Sequence, residues 1–305
     1  MAQDLQAGSV VTVAHFADRV ADSVERKRSQ LVVGLDPVAD RLPPELRDEA
    51  DLAAAYARFC CGIVDAVEPY AVAVKPQSAF FEALGAAGVG AFEDVCAYGR
   101  AAGLVVIADA KRGDIGSTAS AYAAAFVESH GGAPPRADAV TVNPYLGRDS
   151  LEPFLAACRR EGAGLFCLVK TSNPGSADVQ DVPLADGRLL WQHVAGLVRE
   201  WGSELVGECG LSAVGAVVGA TFPQEVAEAR RLLPHAVLLL PGIGAQGGDP
   251  AEVAGAFSSG PASALVSASR SVIYAYDAAG TDDWRAAAGA EAERLARDVW
   301  AFSGW

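Results

Sequence analysis

The stretch Leu104-Val-Val-Ile-Ala-Asp109-Ala-Lys111-Arg-Gly-Asp114-Ile-Gly-Ser-Thr118 decides how this chain folds. Leu104 to Ala108 is an unbroken apolar, β-branched-rich run just after Gly103, the pattern of a buried strand. The run ends in charge, with Asp109, Lys111 and Asp114 in quick succession, and a helical pattern begins near Ile115. Side chains two apart on a strand share a face, so Asp109 and Lys111 are expected to project together from the strand's carboxyl end. Asp114 opens the next turn, at a position suited to capping the helix. Taken alone, such an Asp and Lys also read as a solvated ion pair. The rest of the chain decides between the two.

Seven more short apolar runs flank this one, at residues 31–35, 70–74, 139–142, 164–169, 212–218, 236–240 and 262–266, with helical patterns between them. Strands apolar on both faces belong to parallel sheets covered by helices. Eight such units in 305 residues predict a single (β/α)8 TIM barrel, a fold of roughly 250 residues, with barrel strands over about 31–268. Extra helices over 14–28 and 282–300 are expected to pack at the N- and C-terminal ends. No composition break marks a second domain, so 1–305 reads as one unit.

In that fold the residues after each strand converge on one face, where active sites lie. Here that face collects Asp36, Lys75, Asp109, Lys111, Asp114, Asn143, Lys170, Thr171, Ser172, Gln246 and Arg270. The lysines are telling. The chain has only four, against twenty arginines, and three of them (Lys75, Lys111 and Lys170) stand at predicted strand ends. Lysine can release a proton where arginine cannot, which suits proton chemistry or compact charge. None of the four histidines follows a strand, which counts against a histidine base.

Two subsites separate. Asp36, Lys75, Asp109 and Lys111 alternate in charge and are expected to couple strongly. Lysines among the acids take the place a cation would occupy, so no metal is expected there. The second subsite follows strands seven and eight. Gly242-Ile-Gly244-Ala-Gln246-Gly247 matches a G-x-G-x-x-G pattern in form, but it sits at the seventh strand and no acid stands about 20 residues on, so the dinucleotide reading fails. Backbone N–H groups there, with Arg270, suit a ligand phosphate.

A net charge of −14 argues against nucleic acid or an anionic membrane as partner. No apolar run reaches the ~18 residues of a spanning helix. The acidic N-terminus lacks a signal-peptide core, and the six scattered cysteines read as reduced packing residues, so a cytoplasmic location is expected.

Asp109-Ala-Lys111-Arg-Gly-Asp114-Ile-Gly-Ser-Thr118 resembles the signature of the orotidine 5′-monophosphate decarboxylases. The likeness extends through Gly34-Leu-Asp36-Pro, Val74-Lys75-Pro, Lys170-Thr-Ser-Asn-Pro-Gly, Pro241-Gly-Ile-Gly-Ala-Gln246-Gly-Gly and Ser269-Arg270, in order over about 31–276. The Thr-Ser-Asn-Pro-Gly form and the long loops are similar to the larger bacterial (type 2) branch. The resemblance implies cofactor-free decarboxylation of orotidylate to UMP, the last step of UMP synthesis. It implies that Lys111 protonates C6, Asp109 faces the substrate carboxylate, Lys75 bridges the acids and reaches the ribose, and Asp36 binds a ribose hydroxyl. Asp114, with Ile115 and Thr118, would complete the pocket of a second subunit in a homodimer. Thr171 or Ser172 would touch the pyrimidine. Gln246 and Arg270 would hold the phosphate, with Gly244 and Ser269 beside them. Loops 171–186 and 241–250 are the candidate lids.

Two other readings compete. One is a Mg²⁺-dependent sugar-phosphate decarboxylase or aldolase built on a similar Asp-x-Lys-x-x-Asp barrel site. The other is a non-catalytic barrel that binds UMP, which would not need a buried charge array.

Overall fold

The computed structural model describes residues 14–242 and 250–305. Eight strands run β1 (Leu31–Leu35), β2 (Ala73–Pro76), β3 (Val105–Arg112), β4 (Ala139–Val142), β5 (Gly164–Lys170), β6 (Ser212–Val218), β7 (Ala236–Pro241) and β8 (Ala264–Ala268). Each pairs in parallel with its neighbours in sequence, and β8 pairs with β1. The sheet therefore closes into the expected (β/α)8 barrel. Closure leaves no sheet edge, and the helices cover the outer face, so strands such as β1 and β6 are buried along their whole length.

The expected strand ends hold to within a few residues, with one informative difference. β3 continues through Asp109, Ala110 and Lys111 to Arg112. The charged tail is thus part of the sheet.

The helices between the strands bury one stripe each. Leu52–Val67 starts at Asp51, whose carboxylate accepts the N–H groups of Ala53 and Ala54; that satisfies donors otherwise orphaned at a helix start. Its inner stripe includes Phe59 and Ile63. The terminal helix Trp284–Ser303 lays Trp284 against Phe59, ring centroids 5.2 Å apart.

The N-terminal helix Phe16–Lys27 closes the bottom of the barrel. Phe16 meets Phe166 of β5 edge-on at 5.9 Å. Gly164 makes the approach possible, since a Cβ there would stand 2.5 Å from the Phe16 ring. Burying that ring is worth about 1.5–3 kcal/mol. Arg19 on the same helix ties to Asp138, just before β4, at 2.6 Å. Both predicted terminal helices are therefore packing elements.

All six cysteines are free thiols, and Cys209 is the exposed one. Partial burial and the nearby Asp18 push its thiol up to about 11, away from nucleophilic chemistry. Among the described residues no helix is long and apolar enough to cross a membrane.

Candidate active site

The strand tops converge on Asp109. Its Oδ2 accepts from Lys75 Nζ at 2.5 Å, and its Oδ1 accepts from Lys111 Nζ at 2.5 Å. Lys75 is the third residue of β2, and β2 pairs with β3, which brings the two side chains into one layer. Asp109 and Lys75 are only 5% and 7% exposed, whereas Lys111 reaches into the open. Burial alone would raise the Asp109 pKa. The Lys75 and Lys111 ammonium groups overcome it and hold the carboxyl at about 2. For Lys75, burial pulls downward, and the charges of Asp109 and Asp36 carry its pKa above the ordinary lysine value. Asp109 and Lys75 thus stabilise each other's charged forms.

Lys111 adopts φ +47°, a left-handed conformation rare for a residue with a side chain. The cause is a bulge: Ala108 pairs with Val140 and Arg112 with Val142, so Asp109, Ala110 and Lys111 stand opposite Thr141 alone. Asp109 and Lys111 do meet as the two-residue alternation requires, through this bulge in place of a regular strand.

A cavity of about 280 Å³ opens above the array, lined on one side by Lys75, Asp109, Lys111 and Thr141. Leu168, Val217, Leu239 and Pro241 form an apolar wall, and Thr171, Ser172 and Asn173 close the third side. A flat ring with polar edges fits such a space: apolar contact for its faces, hydroxyls and amide for one edge, fixed charges for the other. Thr171 is held by Gln180, which accepts from Thr171 N at 2.9 Å and donates to Thr171 Oγ1 at 2.8 Å.

Asp36 sits beside this cavity at the end of β1. Its Oδ2 accepts from Ser269 Oγ at 2.5 Å, and its Oδ1 is buried without a partner among the described residues. A buried, unsatisfied carboxylate oxygen is an acceptor awaiting a donor, as a ligand hydroxyl would supply.

Other predicted positions lie apart. Arg270 is exposed and lines a separate depression with Arg41 and Tyr274. Asn143 turns away to accept from Tyr145 N. Lys170 does not line the cavity. It is buried at the end of β5 between Asp181, at 2.6 Å, and Glu225, at 3.6 Å. A register shift between Leu168 and Lys170 against β6 accounts for its aim. The segment 176–187, without an assigned role from sequence, thus has one: its short helix Ala177–Gln180 and Asp181 tie back onto Lys170 and Thr171.

Asp114, Ile115 and Thr118 do not reach the cavity of their own chain, and Ile115 and Thr118 are exposed. The expected cap differs in detail. The helix runs Gly116–Val127 with Ile115 at its N-cap, and Asp114 accepts from the Ile115 N–H. Gly244, Gln246 and most of loop 241–250 lie outside the described residues.

Sequence reasoning missed Thr141. It is 1% exposed and lines the cavity from β4. The only signal was one hydroxyl in the run Ala-Val-Thr-Val, where Thr also reads as an ordinary β-branched strand former.

Among the described residues no group of three or more His, Cys, Asp and Glu side chains is placed to hold a metal ion. Both oxygens of Asp109 already face ammonium groups.

Fold and cavity define a (β/α)8-barrel enzyme that gathers alternating fixed charges against one edge of a small ligand. The chain belongs to the orotidine 5′-phosphate decarboxylase / HUMPS family, whose model matches residues 29–281. It is 47% identical over 269 residues to the orotidine 5′-phosphate decarboxylase of Rhodopirellula baltica, covering 86% of this chain and 89% of the relative. A crystal structure of a provisionally named orotidine 5′-phosphate decarboxylase from Streptomyces avermitilis superposes with TM-score 0.82 at 38% identity, over 96% of this chain and 97% of the other. Leishmania donovani OMP decarboxylase matches with TM-score 0.74 at 33% identity, over 95% and 100%. Conversion of orotidylate to UMP is consistent with that membership.

Proposed function

We propose that this chain, acting as one barrel domain, decarboxylates orotidine 5′-monophosphate to UMP without a cofactor. The observation that carries the reading is Asp109 held between Lys75 and Lys111 at the mouth of an apolar-walled cavity. In the reaction the C6–carboxylate bond breaks, CO2 leaves, and the electron pair stays on C6. That carbon is sp² and offers no covalent electron sink, so stabilisation must be electrostatic. The Lys111 ammonium supplies it, and then donates a proton to C6 and is reprotonated from solvent. Two opposite charges about 4 Å apart at a partly exposed site interact by about 4 kcal/mol, equivalent to about 10³-fold in rate.

The other assignments follow the cavity's sides. Asp109 faces the substrate carboxylate and pairs with both lysines, raising the pKa of Lys75. Lys75 reaches the ribose, and the Asp36 oxygen without a partner among the described residues receives a ribose hydroxyl. Thr171 or Ser172 contacts the pyrimidine edge. Gly244, Gln246, Ser269 and Arg270 form the phosphate end. Binding energy gathered there, remote from C6, can be used to assemble the charged array around the reacting carbon.

The functional unit in this reading is a homodimer. Among the described residues, Asp114, Ile115 and Thr118 are not part of their own cavity's lining, which leaves them available to a neighbour's. Mixing inactive Lys111→Ala and Asp114→Asn proteins should then regain activity, because a mixed dimer holds one pocket with both residues intact; no recovery would argue for self-contained subunits. A cytoplasmic location suits a nucleotide-synthesis enzyme.

The test of the activity is the ultraviolet absorbance of orotidylate mixed with the purified protein in excess EDTA. Conversion to UMP is expected. Turnover only with added Mg²⁺ would favour the metal-dependent barrel chemistry, and UMP binding without turnover in either condition would favour a sensor.

A further inference from the structure

The β3 bulge creates a local problem. A strand that spends three residues opposite one leaves backbone donors without ladder partners; Asp109 still bridges to Gln77 on the β2 side, and the N–H groups of Ala110 and Lys111 are the ones that turn to a side chain instead. Lys111 is in addition held at φ +47°, which costs about 1–2 kcal/mol for a residue with a Cβ. Strain of that kind persists only where the surroundings over-determine the conformation.

One side chain resolves it. Thr141 Oγ1 accepts from the Ala110 N–H at 3.1 Å and from the Lys111 N–H at 2.9 Å, and donates to Asp109 Oδ1 at 3.0 Å. A hydroxyl has one proton and two lone pairs, so all of its capacity is spent on three consecutive residues of the neighbouring strand. Thr141 is 1% exposed, which removes water as a substitute. Its β-branch restricts χ1, so the oxygen is aimed by packing.

We propose that Thr141 is a positioning residue for the decarboxylation: its hydroxyl fixes the left-handed turn that delivers the Lys111 ammonium and, at the same time, orients the Asp109 carboxylate facing it. The inference rests on the assignment of Lys111 to the C6 proton transfer. It adds that the geometry of that transfer is set from β4, by a residue that need not touch the reacting atoms. The phosphate and ribose contacts lie on other strands. Loss of the hydroxyl should therefore act on the chemical step and leave ground-state binding alone.

The experiment compares wild type with Thr141→Val, Thr141→Ala and Thr141→Ser for kcat, KM and UMP affinity. Thr141→Val keeps the shape and removes the hydrogen bonds. A misplacement near 1 Å can cost about 10²-fold, so kcat should fall by about that factor, with KM and UMP affinity within about threefold of wild type. Thr141→Ser should recover most of kcat. Thr141→Ala leaves room for water to solvate the two N–H groups, so it tests the idea even if the Val protein does not fold, and kcat should fall as for Val. Wild-type kcat in the Val or Ala protein would overturn the proposal, as would equal damage in the Ser protein or a loss seen only in KM. If wild type itself did not convert orotidylate, the assignment of the reaction would fail first, a distinguishable result.

Discussion

Lys75 Nζ stands 2.5 Å from Asp109 Oδ2, with both side chains less than a tenth exposed. A buried pair of this kind contributes less through its own attraction than through what its absence leaves behind, because removing one partner strands the other charge away from water. Asp109 keeps Lys111 and Thr141 if Lys75 is lost. Lys75→Met should therefore cost near the lower end of the usual range, about 3 kcal/mol in urea unfolding. Adding Asp109→Leu should restore part of that loss while abolishing activity. A cost under about 1 kcal/mol for the single change would mean the pair is better solvated than its burial indicates.

The same array sets a pH window for stability. The folded Asp109 pKa, about 2, lies below its ordinary value of 3.8. Its contribution is present above the ordinary value and is lost as pH falls through about 2. It amounts to about 2 kcal/mol at neutral pH, roughly half of it gone by pH 3. Lys75 has the opposite sign: its raised pKa gives stability that is full below the ordinary lysine value and lost as pH rises through the raised one. Unfolding free energies of wild type and Asp109→Asn should therefore differ by a constant amount between about pH 5 and pH 9 and converge on acidification. A difference unchanged at pH 3 would contradict the assignment of the low pKa to Asp109.

Gly34 and Ser269 form a second junction, between β1 and the segment after β8. A Cβ at residue 34 would lie 2.7 Å from Ser269 Cβ and 2.9 Å from its hydroxyl. The displaced hydroxyl could no longer donate to Asp36 Oδ2. Gly34→Ala is expected to raise KM about tenfold or more, the cost of about 1.4 kcal/mol in binding, with a smaller change in kcat. Unchanged KM, measured from initial rates on orotidylate, would remove Asp36 from the ribose site.

Much of this architecture is legible in the sequence, for a physical reason. Parallel barrel strands are buried on both faces, so runs such as Leu31–Leu35 and Ala139–Val142 stand out as continuous apolar segments, and the polar residues that follow the strands mark the face that carries the candidate site. Lys75, Asp109 and Lys111 came together as that logic requires. What stayed hidden depends on the sign of a dihedral angle or on register. Nothing in Ala-Lys-Arg announces φ +47° at Lys111, and Thr141 has meaning only once the bulge places it opposite three residues. Lys170 ends β5 as expected, but the aim of its side chain stayed hidden for a related reason. Alternation assigns a side for each residue of a regular strand, and the irregularity between Leu168 and Lys170 breaks that count, so the ammonium meets Asp181 and Glu225 and not the cavity. Arg270 follows the strand as expected but is exposed outside the central cavity, a matter of side-chain direction that a motif does not carry.

The most direct test of the central claim is single-turnover conversion of orotidylate by Lys111→Ala beside wild type. Lys111 is exposed at the cavity and, among the described residues, its ammonium pairs with the already shared Asp109, so its removal should leave the fold intact. The rate is predicted to fall by about 10³-fold or more, from loss of both the charge beside C6 and the proton donor, with UMP still bound. A rate within about tenfold of wild type would contradict the account, because the proton and the stabilising charge would then have to come from elsewhere.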